Sequence, residues 1–446
     1  MSEATTSASG TGIQRTQWRV IILSSLGGAL EFYDFVIYSM FAQYIGAAFF
    51  PAHDPLNSLM LSFSVFAVGY LARPVGGIIF SHFGDKYGRR PVFIVAMLAM
   101  SLATFCMGLL PTYASWGVLA SILMVVLRLI QGFCLGGELP GAITYVVETA
   151  PRKAGFAAGF IFFCVNTGVA LASVLSLVVH NTLEPAEVSS WGWRIGFLFG
   201  GVLGLVSFWL RLSLEETAEF KQLKHTAAKK PFVELIKSHP APVLVGIAAL
   251  TATAGFNGLL FAMPAFLSRV MGYSPLESIE AQNVCLVVLS VGLLTVAWLG
   301  DRIPRRWLLG LGAFLLMLLS IPFFNAAAAH SVNLMVLFGL AGLTAALVNG
   351  SMAGVVADLF PTRIRFSGIA VSFNLAFSIF SGLAPLAATA LVALTNSPSG
   401  PAYYMVGCAA LTFFASLVLK RYDGRILGGL SNPEPVAAPA PSFPRQ

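Results

Sequence analysis

The sequence predicts an all-α membrane protein, with twelve transmembrane helices arranged as two six-helix pseudo-repeats. The first reason is composition, because 57% of the 446 residues are hydrophobic and only 10% are charged. A soluble domain carries about 25% charged residues. The second reason is that the apolar residues form blocks of about 20 or more, long enough for a helix to cross a hydrocarbon core about 30 Å thick. Such blocks exclude a β-barrel, whose strands need about ten residues of alternating polarity.

Twelve apolar blocks follow one another along the chain, and we number them span 1 to span 12. Their predicted ranges are 20–50, 58–83, 91–111, 115–147, 154–180, 191–213, 241–268, 278–299, 307–328, 331–356, 366–394 and 402–420. The longest hydrophilic segment follows span 6. The predicted organisation is an N-terminal tail, a six-helix bundle, a central loop, a second six-helix bundle and a disordered tail, at residues 1–17, 18–213, 214–240, 241–420 and 421–446.

Two short motifs recur at corresponding places in the two halves. Gly-Asp-Lys-Tyr-Gly-Arg-Arg at 84–90 follows span 2, and Gly-Asp-Arg-Ile-Pro-Arg-Arg at 300–306 follows span 8. Glu-Thr-Ala-Pro at 148–151 follows span 4, and Asp-Leu-Phe-Pro at 358–361 follows span 10. Parallel repeats of six helices with a binding site between them are a known transporter architecture. The two repeated motifs therefore indicate that the second half is a duplicate of the first.

The basic residues predict the orientation. Nearly all of the 26 Lys and Arg residues fall in loops on one side, and the loops on the other side hold at most Arg194 and Arg269. Basic loops stay in the cytoplasm. We therefore expect a multi-pass protein of the cell inner membrane with both termini cytoplasmic. Because the basic residues behind the net charge of +7 lie in the cytoplasmic loops, no nucleic acid partner is expected.

The sequence contains no motif for binding a metal ion or a nucleotide. The five cysteines lie inside apolar blocks, and neither they nor the six histidines show metal-ligand spacing. A phosphate-binding loop of the G-x-x-x-x-G-K-[ST] type is missing, so ATP drive is not expected. We expect no metal, no cofactor and no enzymatic activity. Residues 1–17 lack an apolar core, so span 1 itself is expected to direct insertion.

Five charged residues lie inside spans, all in the first half: Glu31, Asp34, Arg73, Arg128 and Glu138. Each costs at least a few kcal/mol at mid-bilayer unless it is paired or hydrated, so such residues mark functional sites. Glu31 and Asp34 are three residues apart and share a helix face. Two nearby carboxylates resist simultaneous ionisation, so one can carry a proton. We expect Asp34 in that role first and Glu31 second. The alternative is that both form structural ion pairs with the arginines.

The two intramembrane arginines are candidates for substrate contact. Either could hold a carboxylate by a bidentate contact, Arg128 expected first and Arg73 second, or could neutralise the acids of the empty protein. Glu138 stands beside two glycines, and we expect a structural or gating pair there first and proton coupling second. Three neutral polar residues complete the expected substrate site: Tyr38, Gln131 and Asn374.

The motif after span 2 resembles the signature of the major facilitator superfamily. Residues 85–90 fit its D-x-x-G-R-R core, while Ser81 stands where a leading glycine is common and Pro304 replaces the later glycine of the second copy. The resemblance implies the major facilitator fold. It also implies that these loops latch the two halves together on the cytoplasmic side, through Asp85, Gly88, Arg89 and Arg90 in the first copy and Asp301 and Arg305 in the second.

Further motifs resemble the metabolite:proton symporter family, which includes carriers of proline/betaine, α-ketoglutarate, citrate and shikimate. They lie at residues 28–35, 49–51, 72–76, 128–138 and 360–365. One departure is Leu-Pro-Gly at 139–141, where many relatives have a tryptophan and glycines. A proline inside a span frees a backbone carbonyl and can kink the helix.

The resemblance implies proton-coupled uptake of a small organic solute by alternating access. Arginine at mid-depth favours a carboxylate, and a zwitterion remains an alternative. The expected partners are the solute, protons and the lipid bilayer, with the chain a monomer. An uncoupled facilitator or an exporter is the second hypothesis. A membrane receptor without transport is the third, and it is disfavoured because no loop is long enough for an output domain.

Overall fold

A computed structural model describes residues 15–52, 55–87, 89–150, 153–212, 235 and 237–360, and 365–419, and over these ranges the chain forms helices and turns without a β-strand. The predicted C-terminal tail and most of the predicted N-terminal tail and central loop lie outside the described residues, and the first helix begins at Arg15, within the predicted tail. The helices of spans 1 to 12 are Arg15–Met40, Pro55–Tyr87, Arg89–Leu109, Val118–Leu135 with Glu138–Thr149, Ala154–Thr182, Trp193–Leu212, Pro240–Val270, Pro275–Leu299, Arg305–Ala328, Leu334–Leu359, Arg365–Ala376 with Phe377–Ser381 and Ala384–Thr395, and Gly400–Val418.

Nine helices of the described part are long and apolar enough to cross a membrane, and they are spans 2, 4, 5 and 7 to 12. Spans 1, 3 and 6 are helices of 26, 21 and 20 residues. The prediction of an all-α membrane protein with twelve helices in two sets of six is confirmed. One difference lies in predicted span 1, where the helix ends at Met40 and a second helix, Ala42–Phe49, follows after Phe41.

Large apolar side chains cover the outside of the bundle. Leu318, Leu340 and Leu343 are each more than half exposed. A soluble monomer rarely leaves such contiguous apolar surface open to water. In a bilayer the same surface faces lipid, and helices satisfy most of their backbone polar groups within themselves.

Spans 2 and 4 cross with their backbones in contact. A methyl group placed on Gly132 would overlap the backbone carbonyl of Gly69, and one placed on Gly136 would overlap the carbonyl of Arg73. Small residues at a helix crossing allow this close approach. The crossing brings the two helices that carry Arg73 and Arg128 into direct contact.

Two of the seams along which the described parts of the two halves meet are named here by their helices. In the span 5–span 8 seam, the Ser173 hydroxyl donates to Gln282 at 3.2 Å. In the span 2–span 11 seam, the Ser378 hydroxyl donates to the Tyr70 carbonyl at 2.6 Å. Both seams therefore use hydrogen bonds from one half to the other, in addition to apolar packing.

We predict that Gly132→Ala destabilises the protein by about 1–3 kcal/mol, because the new methyl group forces the backbones of spans 2 and 4 apart. The measurement is the apparent melting temperature in detergent. Gly407→Ala is the matched control, since nothing lies within 4 Å of a methyl group there, and alanine is favoured over glycine in a helix by up to about 1 kcal/mol. Equal melting temperatures for the two variants would contradict the backbone contact.

Candidate functional site

Arg73 lies in the span 2–span 11 seam, fully buried between the two halves. Four aromatic rings surround its guanidinium carbon: Tyr70 at 5.3 Å, Phe373 at 5.7 Å, Phe377 at 5.9 Å and Phe32 at 6.0 Å from the ring centroids. Two rings come from each half. Aromatic faces attract a cation electrostatically. The seam thus holds a positive charge among rings that belong to both halves.

No nitrogen of the Arg73 guanidinium has a hydrogen-bond partner among the described residues. Arg73 does interact electrostatically with Glu31, which is itself buried. A buried donor without an acceptor costs free energy, more so when it is charged. The three nitrogens therefore form a donor set able to receive a small anion.

Arg128, in contrast, lies inside the N-terminal half. Its guanidinium carbon is 4.3 Å from the ring centroid of Phe35, 4.5 Å from that of Tyr38 and 5.2 Å from that of Phe66. Nη1 donates to the Phe35 carbonyl at 3.0 Å and to Gln131 Oε1 at 2.8 Å. Part of its donor set is thus already used by its own half.

Asp34 is buried where spans 1, 3 and 6 meet. Its carboxyl lies against Gly200 and Gly204 of span 6 and interacts with the Thr104 side chain of span 3. Oδ1 has no hydrogen-bond partner among the described residues. Gln131 Nε2 donates to Thr104 Oγ1 at 2.6 Å and to the Asp34 backbone carbonyl at 3.3 Å. Since Gln131 also accepts from Arg128, one side chain connects the surroundings of the buried acid and the buried base.

Glu31 and Asp34, placed on one helix face by their spacing, have different neighbours. Glu31 interacts with Arg73 near the seam, whereas Asp34 faces spans 3 and 6 inside the N-terminal half. Both side chains are at most 5% exposed. Their assignment to proton coupling stays a prediction.

Tyr38 supports Arg128 rather than lying in the seam. Its hydroxyl and the Ser62 hydroxyl are 3.3 Å apart, and it also donates to the Ser62 carbonyl at 3.3 Å. Among residues not expected at the site, Ser381 of span 11 stands out beside Tyr70. The two hydroxyl groups are buried and interact with each other. A lone serine in an apolar span offers no sequence signal for this.

Asn374 of span 11 joins the halves by a hydrogen bond to span 4, four residues before Pro140. Pro140 has no backbone N–H, so the carbonyl four residues earlier, that of Gly136, cannot form its helical hydrogen bond. The backbone continues in the helical region there, and Gly136 has φ −64° and ψ −28°. Asn374 Nδ2 donates to this carbonyl at 2.8 Å. The proline therefore opens a carbonyl that span 11 of the other half uses.

The second copy of the loop motif also joins the halves. Arg305 bridges two acids, with Nη2 2.9 Å from Asp301 Oδ1 and Nη1 2.6 Å from Asp358 Oδ2. Asp301 in turn accepts from the backbone N–H groups of Gly155 and Phe156, both at 3.0 Å. These N–H groups begin span 5, and a carboxylate is favoured at a helix N-terminus. Asp301 thus links spans 8 and 5.

The remaining expected residues cannot be placed. Gly88 and the side chains of Asp85, Arg89, Arg90 and Glu138 lie outside the described part of the chain. Within the described part, no group of three His, Cys, Asp or Glu residues could hold a metal ion.

We predict that Pro140 and Asn374 are energetically coupled. Asn374→Ala should cost about 1 kcal/mol, and less in a Pro140→Ala background, where the new N–H can satisfy the Gly136 carbonyl. A double-mutant cycle of unfolding free energies measures the difference. Ser378→Ala is the control, because its bond goes to the Tyr70 carbonyl and should be additive with Pro140→Ala. Additivity of Asn374→Ala as well would rule the coupling out.

Comparison with known proteins identifies the family. The model of the Major Facilitator Superfamily matches residues 24–324. The proline/betaine transporter of Escherichia coli strain K12 is 33% identical over 431 residues, covering 92% of this chain and 85% of that protein. The citrate-proton symporter of Klebsiella pneumoniae is 32% identical over 412 residues, covering 90% of this chain and 91% of that protein.

The fold has solved counterparts. The crystal structure of a D-xylose-proton symporter matches with a TM-score of 0.73 and 17% sequence identity, covering 92% of this chain and 99% of that one. At this identity the likeness concerns the fold alone. The sequence matches and the helical architecture agree, and this chain, a multi-pass membrane protein, belongs to the Major Facilitator Superfamily.

Proposed function

We propose that this protein imports a small organic carboxylate together with a proton across the cell inner membrane, by alternating access. The observation that carries the proposal is the Arg73 guanidinium, buried between the halves with no hydrogen-bond partner among the described residues. The names of two relatives support the reaction type, since one is a proline/betaine transporter and the other a citrate-proton symporter.

Arg73 is the proposed anchor for the substrate carboxylate. Its position between Tyr70 of one half and Phe373 of the other supports this, because a solute bound there touches both halves. Its electrostatic interaction with Glu31 gives the empty protein a partial counter-charge that an arriving carboxylate replaces. Arg128 is the weaker candidate, because Phe35 and Gln131 already accept from its Nη1.

Asp34 is the proposed proton site. An ionised carboxylate in this apolar setting is costly, and protonation removes the charge. The link to the anchor is a contiguous set of contacts. Gln131 contacts the surroundings of Asp34 and binds Arg128, and the Phe35 ring stacks on Arg128 and lies 4.7 Å from the Tyr70 ring. Tyr70 in turn lies over Arg73. Such packed networks can carry coupling between two sites.

Alternating access requires the seams to part in turn. With both termini in the cytoplasm, the Asp301 contact to span 5 lies at the inner surface and acts as the latch. Arg269 Nε donates to Gln43 Oε1 at 3.0 Å and links the halves near the outer surface. Release of the inner contact would open a path from Arg73 to the cytoplasm, and release of the outer one a path to the exterior.

We predict that Asp34→Asn abolishes accumulation and leaves exchange intact. For one proton per solute, an inward gradient of one pH unit supports about a tenfold accumulation, which the variant cannot use because it carries no exchangeable proton. Uptake and counterflow of labelled solute into proteoliposomes are measured side by side. Glu31→Gln is the matched comparison and should keep accumulation. Wild-type uptake indifferent to the pH gradient would instead favour an uncoupled facilitator.

We predict that Arg73→Met raises the Kd for carboxylate ligands by about 10- to 150-fold, the range expected for a lost charge-assisted hydrogen bond. A thermal-shift screen of organic acids, amino acids and betaines first finds a ligand, and titration then gives Kd. Arg128→Met is the control and should change Kd less. A ligand amide should bind wild type and Arg73→Met equally. If Arg128→Met has the larger effect, the anchor has been assigned to the wrong arginine.

A further inference from the structure

The C-terminal half contains a cavity of about 290 Å³ that takes no part in the site around Arg73. Its walls come from spans 7, 8, 9, 10 and 12, and none of the four rings around Arg73 lines it. It lies toward the ends of spans 9 and 10 that are remote from Arg305 and Asp358. With the proposed orientation, it is at the depth of the outer leaflet.

The chemistry of the lining excludes a polar occupant. The lining residues carry no charge, and their hydroxyl and thiol groups are those of Ser320, Thr344 and Cys285. The Ser320 hydroxyl donates to the Leu316 carbonyl and the Thr344 hydroxyl to the Leu340 carbonyl, each in its own helix. The two hydroxyl groups that line the cavity therefore donate within their own helices and not to an occupant of the cavity. Water needs two to four polar partners, so a hydrocarbon is the occupant that fits.

The cavity continues into the surface that faces lipid. Leu319 of span 9 and Leu340 of span 10 line it and are also 43% and 57% exposed. Leu318, next to Leu319, and Leu343, one helical turn after Leu340, are more than half exposed. Pro322, which cannot donate a helical hydrogen bond, lies at the same level of span 9. The opening between spans 9 and 10 thus connects the hydrocarbon of the bilayer with the cavity.

We propose that this cavity binds one hydrocarbon chain of a membrane lipid, which enters between Leu319 and Leu340. A dry cavity of about 150 Å³ takes up one benzene, so about 290 Å³ holds a segment of a chain and excludes a headgroup. The chain would contact Leu260, whose carbonyl accepts from Gln282 at 2.7 Å. Gln282 also accepts from Ser173 across the span 5–span 8 seam. Lipid binding would therefore stabilise the span 5–span 8 seam through Leu260 and Gln282.

The test uses the full-length protein in nanodiscs with a phosphatidylglycerol that carries a diazirine midway along one acyl chain. After illumination, mass spectrometry locates the cross-links. In the wild type, cross-links to residues 316–326 and 337–344 should exceed those to the lipid-facing residues of span 6. An even distribution over all lipid-facing helices would overturn the proposal without any variant.

Ala341→Phe and Leu343→Phe form the matched pair, because Ala341 lines the cavity and Leu343 faces lipid on the same helix. Displacing even two buried methylenes lowers affinity about tenfold, so cross-links should fall by that factor in Ala341→Phe and stay unchanged in Leu343→Phe. Added phosphatidylglycerol should raise the melting temperature of delipidated wild type more than that of Ala341→Phe. Equal cross-linking in the two variants, or equal thermal shifts, would contradict the site.

Discussion

The cost of holding an arginine in the low-dielectric seam between the halves shapes the rest of the structure. Arg73 is surrounded by rings from both halves and interacts with Glu31, yet its nitrogens have no hydrogen-bond acceptor among the described residues. Aromatic contacts recover about 2 kcal/mol or more of the cost when desolvated, and an anion recovers more. The carboxylate that we propose as substrate would offset this cost by accepting hydrogen bonds from the Arg73 nitrogens.

The second arginine is held in a different way, and the difference follows from helix packing. Spans 2 and 4 touch backbone to backbone at Gly132 and Gly136, so the positions of their side chains relative to each other are set by the crossing. At that crossing Arg128 turns into the N-terminal half and Arg73 toward span 11. Arg73 and Arg128 can therefore have different roles although their helices are neighbours.

The sequence predicted the twelve helices and the buried charges well, because both depend on single-residue polarity within apolar blocks. Asp34, Arg73 and Arg128 were identified in this way, and all three are buried. Of their partners it named the pairing of an acid with Arg73 only as an alternative, and the structure has Glu31 in that place. Which way a side chain faces depends on the rotation of its helix in the bundle, and Glu31 and Asp34 have different neighbours for that reason. The helix end at Met40 was also missed, since neither glycine nor proline marks it.

The bond between Asn374 and the Gly136 carbonyl has a consequence for how the protein is made. The two residues are 238 positions apart, so at about 5 to 20 residues per second a ribosome needs roughly 12 to 48 s to synthesise the chain between them. During that interval Pro140 denies the carbonyl its helical partner, and a backbone group left unsatisfied in hydrocarbon costs several kcal/mol. The N-terminal half must therefore keep this carbonyl hydrated, or shielded by the insertion machinery, until span 11 arrives.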